Sequence, residues 1–302
     1  MSMANSMAVG PSQDAVPQVA ESDSRRQSYW TLYKLALRQH LHGKRWMVMT
    51  ALFLLPAGLA VLVRSTAPNV PLVALEFMLV MMFVPQALLP LVALLYGSGV
   101  VQDEQEEQTI TYLLVRPIPK WAMYTIKLLA AMTTTSLLVS LFLAITFAAV
   151  YFGSDASWAD VAKRWLIVAA VQSLAVVTYC SVFGLFSLLT KRILVAGVLY
   201  TAIVEVLFAN LPFGIRLATV LYYMRLIIYH SMPYQFVRSD GRERDIADRV
   251  WQLDVRNDPD LLLHPSLGQS IATLVIASLV CTAIAGWLCS QREFHVKTPE
   301  KD

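Results

Sequence analysis

The chain has 302 residues, 57% of them hydrophobic and 15% charged, with a formal net charge of +3. A soluble globular domain carries about 45–50% apolar and about 25% charged residues, so this balance, with a mean hydropathy of +0.55, argues against a water-soluble fold. The charge is small and spread out, and no basic patch interleaved with aromatics appears, which excludes a nucleic-acid partner.

Residues 1–27 are rich in Ser, Gln, Ala and Pro without periodicity and are expected to be a disordered tail. They lack the apolar core of a signal peptide. From Ser28 to Arg45 two patterns recur at steps of three and four: Lys34, Arg38 and His42 on one face, and Trp30, Tyr33, Leu37 and Leu41 on another. That spacing predicts an amphipathic helix lying flat in the membrane interface.

Six apolar blocks of spanning length follow, at about 46–63, 72–96, 126–152, 165–189, 193–213 and 270–289. Together they predict a transmembrane domain over 46–290. Pro85 and Pro90 predict a kink in the second block. Thr133, Thr134, Thr135 and Ser136 in the third are expected to bond backbone carbonyls or neighbouring helices. Cys180, Cys281 and Cys289 have no metal or redox spacing and read as packing residues.

Basic residues concentrate before the first block, at Lys191 and Arg192, and in the tail 291–302. The positive-inside rule then places both termini and the loop 97–125 in the cytoplasm, and an even number of spans agrees. The segment 214–269 falls outside and holds seven Arg and seven acidic residues. Within it, Ile215 to His230 reads as an amphipathic or re-entrant helix, and Gly241 to Asp260 as a charged cap of weak exposed ion pairs.

Two acids lie inside apolar blocks. Glu205 sits in the middle of the fifth, where a carboxylate must be paired, shielded or protonated. It either lines a translocation path, seals a dimer, or bonds a neighbouring span. Glu76 lies near a block end and is expected to reach the interface or bond a neighbour.

The most informative stretch is the cytoplasmic loop SGVVQDEQEEQTITYLLVRPIPK, residues 98–120. Gln102 to Val115 is expected to be helical, with Asp103, Glu104 and Glu107 on one face and Ile110, Leu113 and Leu114 on another. Pro117 ends it, because the residue before Pro is pushed out of helical geometry. The result is a short acidic helix rigidly joined to two spans, suited to passing a push from a soluble partner into the bilayer.

Residues 97–129 resemble the signature region of ABC-2 type permeases, the membrane subunits of ABC transporters. The likeness rests on Glu104, Glu106, Glu107, Thr109, Leu113, Leu114, Arg116, Pro117, Ile118, Lys120 and Lys127. Gln108 departs from the family's usual Gly. The flat N-terminal helix, six spans, long outer segment and the ending Gln291-Arg292-Glu293-Phe294 are similar too.

The resemblance implies an all-α integral membrane fold: six transmembrane helices, an N-terminal amphipathic interfacial helix and a cytoplasmic coupling helix. It implies a dimer, homo- or heteromeric, whose copies dock on cytoplasmic ABC ATPase subunits and export a substrate, in the plasma (inner) membrane of a prokaryote. The coupling role then falls on Asp103, Glu104, Glu106, Glu107, Thr109 and Arg116, with Lys34 and Arg38 of the flat helix. No G-x-x-x-x-G-K-[S/T] loop is present, so ATP belongs to the partner and this chain carries no cofactor. The sequence also lacks H-E-x-x-H and G-x-S-x-G. An alternative is a membrane-embedded enzyme or anchor using the outer loop 214–269, with His230, His264 and Asp240 as candidates. A secondary transporter fits less well, because no internal repeat relates the two halves.

Overall fold

The computed structural model describes residues 18–42, 45–106, 119–190, 192–211, 214–232, 234–237, 243–245, 250–251 and 265–291. Its helices are α1 (Gln18–His42), α2 (Arg45–Thr66), α3 (residues 72–106), α4 (Lys120–Tyr151), α5 (Trp158–Leu189), α6 (Ile193–Asn210), α7 (Val220–Ser231) and α8 (Leu267–Gln291). Six of them, α2 to α6 and α8, are long and apolar enough to cross a membrane. The fold is that of an all-α integral membrane protein. A small antiparallel hairpin, β1 (Gln235–Val237) with β2 (Glu243–Asp245), interrupts the helical pattern after α7 and pairs Phe236 with Arg244.

Depth of burial sorts the spans. In the apolar windows of α3 and α5, 61% of residues are buried, against 22–28% in α2, α6 and α8, so α3, α4 and α5 are the central layer. Without a hydrophobic drive between helices in lipid, close approach and shared hydroxyls hold such a layer together. Gly97 of α3 meets α5 so closely that an added Cβ would lie 3.2 Å from the Cys180 carbonyl oxygen and 3.3 Å from the Phe183 Cβ. Across the α5–α8 seam, Ser181 and Ser278 hydroxyls lie 2.8 Å apart, and Thr178 Oγ1 donates to the Leu274 carbonyl at 3.3 Å. The hydroxyls of Thr133, Thr134 and Thr135 donate to carbonyls one turn back, at 2.7–3.0 Å. All three cysteines are free, and Cys180 and Cys289 are buried.

The prolines of α3 do not break it. Phe77–Leu88 instead winds as a π-helix, with the Leu89 N–H reaching back to the Val84 carbonyl. In that i→i+5 pattern the partner of the Val80 carbonyl would be the amide of residue 85, and Pro85 has none. Gln172 of α5 fills the gap, donating Nε2 to the Val80 oxygen at 2.9 Å. The helix then continues to Glu106. The expected second span and the start of the expected loop helix are therefore one element, consistent with the absence of Pro or Gly after Gly99 and the good helix formers Gln and Glu.

The N-terminal helix differs from expectation at both ends and in its buried face. It starts at Gln18, just past Pro17, inside the stretch expected to be a tail, because residues 18–27 are mostly good helix formers and contain no breaker. It buries Leu32, Ala36 and His40, while Trp30 and Leu35 are exposed. Tyr33 shares a 2.9 Å hydrogen bond with Thr133 of α4, and His40 packs edge-on against Tyr96 of α3. The helix is therefore docked on the bundle.

Gly97→Val should disturb the α3–α5 seam, where overpacking costs about 1–3 kcal/mol. Thermal unfolding in detergent should show a lower midpoint than wild type, whereas Gly58→Ala, with open space around its Cβ position, should leave it in place.

Candidate functional site

Two ends of the bundle carry the polar chemistry. At the end where α2 begins and α8 stops, α3 projects its last turns toward Glu106. The backbone at Asp103, Glu104 and Glu106 is helical, and Glu107, Thr109 and Arg116 lie outside the described residues. Lys34 and Arg38 stand one turn apart on the exposed side of α1, with the Lys34 ammonium 5.2 Å from the centre of the Trp30 ring. The structure thus places the basic pair on a helix docked beside the span that ends in the acids.

At the opposite end, two buried glutamates fasten the segment that follows α6. Glu205 stands in a π-helical stretch of α6, Thr201–Leu207, and is 1% exposed. Its carboxylate accepts from the Tyr179 hydroxyl at 2.8 Å, the Tyr200 hydroxyl at 3.0 Å, and the Val220 and Leu221 amides at 3.1 and 3.0 Å. A carboxylate has about four lone-pair sites, and here each has a donor. Two of those donors are first-turn amides of α7, which have no partner within a helix and favour negative charge. Glu205 therefore caps α7 from a different helix, beside the local cap in which Thr219 accepts from the Tyr222 amide at 3.3 Å. One turn further along α7, both terminal nitrogens of Arg225 donate to Asn210 Oδ1 at 3.1 Å, and its guanidinium lies 5.7 Å from the Trp251 ring. Of α7's residues, Val220, Leu221, Tyr222, Met224 and Arg225 to Ile228 are buried, so the helix is packed into the bundle and tied to the end of α6.

Glu76 is the second fastening. It is fully buried at the start of the π-helical stretch of α3 and does not reach the interface. Arg164 of α5 meets it through Nε at 3.1 Å and Nη2 at 3.0 Å, a two-pronged charged pair. Tyr151 of α4 donates to the same carboxylate at 2.5 Å, and Tyr234, just past α7, donates at 2.9 Å. Burial, then the Glu76 charge, pushes the Tyr234 phenol well above its ordinary range, so it stays protonated and donates at neutral pH. Phe77 meets Tyr234 edge-on and Trp251 at a tilt, and the Trp251 indole donates to Met82 sulfur at 3.1 Å. One carboxylate thus gathers three spans and the segment just past α7.

Sequence reasoning singled out both glutamates but none of their partners. Tyr151, Arg164, Tyr179 and Tyr234 carry no local signal; only an intramembrane acid demanding donors could have prompted the search for them. Of the residues considered for an outer active face, His230 bonds its own helix, Nδ1 lying 2.8 Å from the Leu226 carbonyl. Asp240 and His264 lie outside the described residues. Among the described residues no group of His, Cys, Asp and Glu could hold a metal ion. The arrangement clamps helices to one another through two buried carboxylates.

A family model described as ABC-2 family transporter protein matches residues 41–229, from the end of α1 through the fifth span and most of α7. The chain belongs to that family and is a permease component of an ABC transporter. No curated protein matches it.

Two outcomes follow from these bonds. Arg164→Met leaves Glu76 charged and unpaired among buried groups, a loss of about 3–5 kcal/mol, and Glu76→Gln on top of it should recover part of that loss. A double-mutant cycle on unfolding free energy in detergent reads both. Glu205→Ala should release the first amides of α7, so hydrogen exchange at Val220 and Leu221 should speed up while exchange in α4 is unchanged.

Proposed function

We propose that this permease is half of an exporter, paired with a second permease copy and driven by separate ABC ATPase subunits that bind and hydrolyse ATP. Both termini and residues 97–125 face the cytoplasm, in the inner membrane of a prokaryote, and the re-entrant segment faces outward. The ATPase docks against the acidic end of α3, through Asp103, Glu104, Glu106 and Glu107 with Thr109 and Arg116, and against Lys34 and Arg38 of α1. Substrate passes between the two copies.

The observation that carries this reading is the length of α3. A helix over residues 72–106 runs about 50 Å, well beyond the ~30 Å hydrocarbon layer. Its excess lies at the acidic end, and its other end begins at the Glu76 fastening. A force on Glu104 and Glu106 therefore acts on the same rigid element that holds the outer segment, and no flexible joint has to transmit it. The docking of α1 on α4 supports a second point of attachment near the first.

The combined reversal Asp103→Lys, Glu104→Lys and Glu106→Lys tests the coupling. In liposomes with the ATPase present, permease-dependent stimulation of ATP hydrolysis and transport should both fall at least ten-fold, about 1.4 kcal/mol of coupling. The unfolding midpoint should not move, because the α3–α5 seam at Gly97 is left intact. Undiminished transport would remove the lever from the mechanism.

A further inference from the structure

We propose that the groove between α2 and α4, at the bundle end remote from the termini, is a phospholipid-binding site whose phosphate is held by Arg64. This does not depend on how the ATPase is coupled.

Helix α2 buries Met49, Phe53, Ala57 and Ala60, a face repeating at steps of three and four. Beyond Ala60 a cleft of about 490 Å³ opens between the two helices, lined by Val61, Arg64, Ser65, Ala148, Ala149 and Phe152. The small side chains of Ala148 and Ala149 leave the space, and the wall beneath Arg64 is apolar.

Arg64 is fixed at the mouth of this groove. Its Nη1 donates to the Val150 carbonyl at 2.9 Å and to the Phe152 carbonyl, both at the end of α4 where helix carbonyls lack partners. A guanidinium has five N–H donors in a planar fork. The Nε–H and the Nη2 donors have no partner among the described residues, and no carboxylate there pairs with the charge. That remaining edge is the one that grips a phosphate or carboxylate with two parallel hydrogen bonds. Because Nη1 is already tethered, the edge is preorganised.

Depth selects the occupant. Arg64 stands about 29 Å along α2 from Arg45, close to the hydrocarbon thickness, so its charge sits at headgroup level with the apolar walls below. Free phosphate would leave the walls uncovered. An apolar helix of another chain would leave the fork unpaired. A phospholipid with one chain in the groove matches both requirements.

The test titrates purified protein in detergent with dioleoyl phosphatidylglycerol or with dioleoylglycerol, and counts bound lipid by native mass spectrometry. Wild type should retain one phosphatidylglycerol per chain at concentrations where dioleoylglycerol does not bind. Arg64→Gln should weaken retention about ten-fold or more, since a charge-assisted bond contributes roughly 1.5–3 kcal/mol. Arg64→Lys, which keeps the charge without the fork, should fall between them. Ala148→Phe fills the groove with Arg64 intact, at an exposed position, and should also weaken retention; it decides the matter if Arg64→Gln does not fold. Equal retention by wild type and these variants, or equally tight binding of dioleoylglycerol, would overturn the assignment. So would efficient disulfide formation between two Phe152→Cys chains, which would mean that a second copy covers the groove.

Discussion

The structure depends on one requirement: polar groups held inside a hydrocarbon layer must be satisfied by the protein itself. Glu205 shows how far it reaches. Its carboxylate, costly in lipid, is matched by two phenols and two helix amides, and that match places α7 inside the bundle. Gln172 shows the same rule acting on backbone. The carbonyl that Pro85 cannot serve is served from α5, so the proline widens α3 without severing it. Apart from Tyr200, these donors come from neighbouring helices.

These satisfied polar groups also set which parts move together. The end of α6 and α7 are joined through Glu205 and through Arg225 with Asn210, so they form one body. The segment beyond α7 is attached instead to α3, α4 and α5 through Glu76. The stretch from α7 to Tyr234 is therefore tied at its start through Glu205, whose carboxylate Tyr179 of α5 shares, and at its end through Glu76. Separating those attachments requires breaking charged or charge-assisted bonds.

Much of this was legible in the sequence. All six spans were found because length and apolar content are local properties, and the structure extends most of them by a few residues into polar flanks such as Lys120 and Trp158. A helix was visible within residues 215–230, and the structure starts it at Val220 after a short 3-10 turn. The carboxylates were conspicuous because acids are rare in such blocks. Their partners were not: Arg164 pairs with Glu76 across 88 positions and Tyr234 across 158, and no periodicity encodes contacts of that separation. The merging of span and loop helix was missed for the opposite reason. A change from apolar to acidic composition at Gln102 suggests a boundary, although helix propensity is continuous across it.

The tight seam at Gly97 has a mechanical consequence. Measured along α3, Gly97 lies about 14 Å from Glu106 and about 30 Å from Glu76. If the helix pivots where it is pressed hardest against α5, the two arms are unequal. The absent side chain at Gly97 thus sets α3 against α5 nearer its acidic end than its Glu76 end, in a ratio of about one to two.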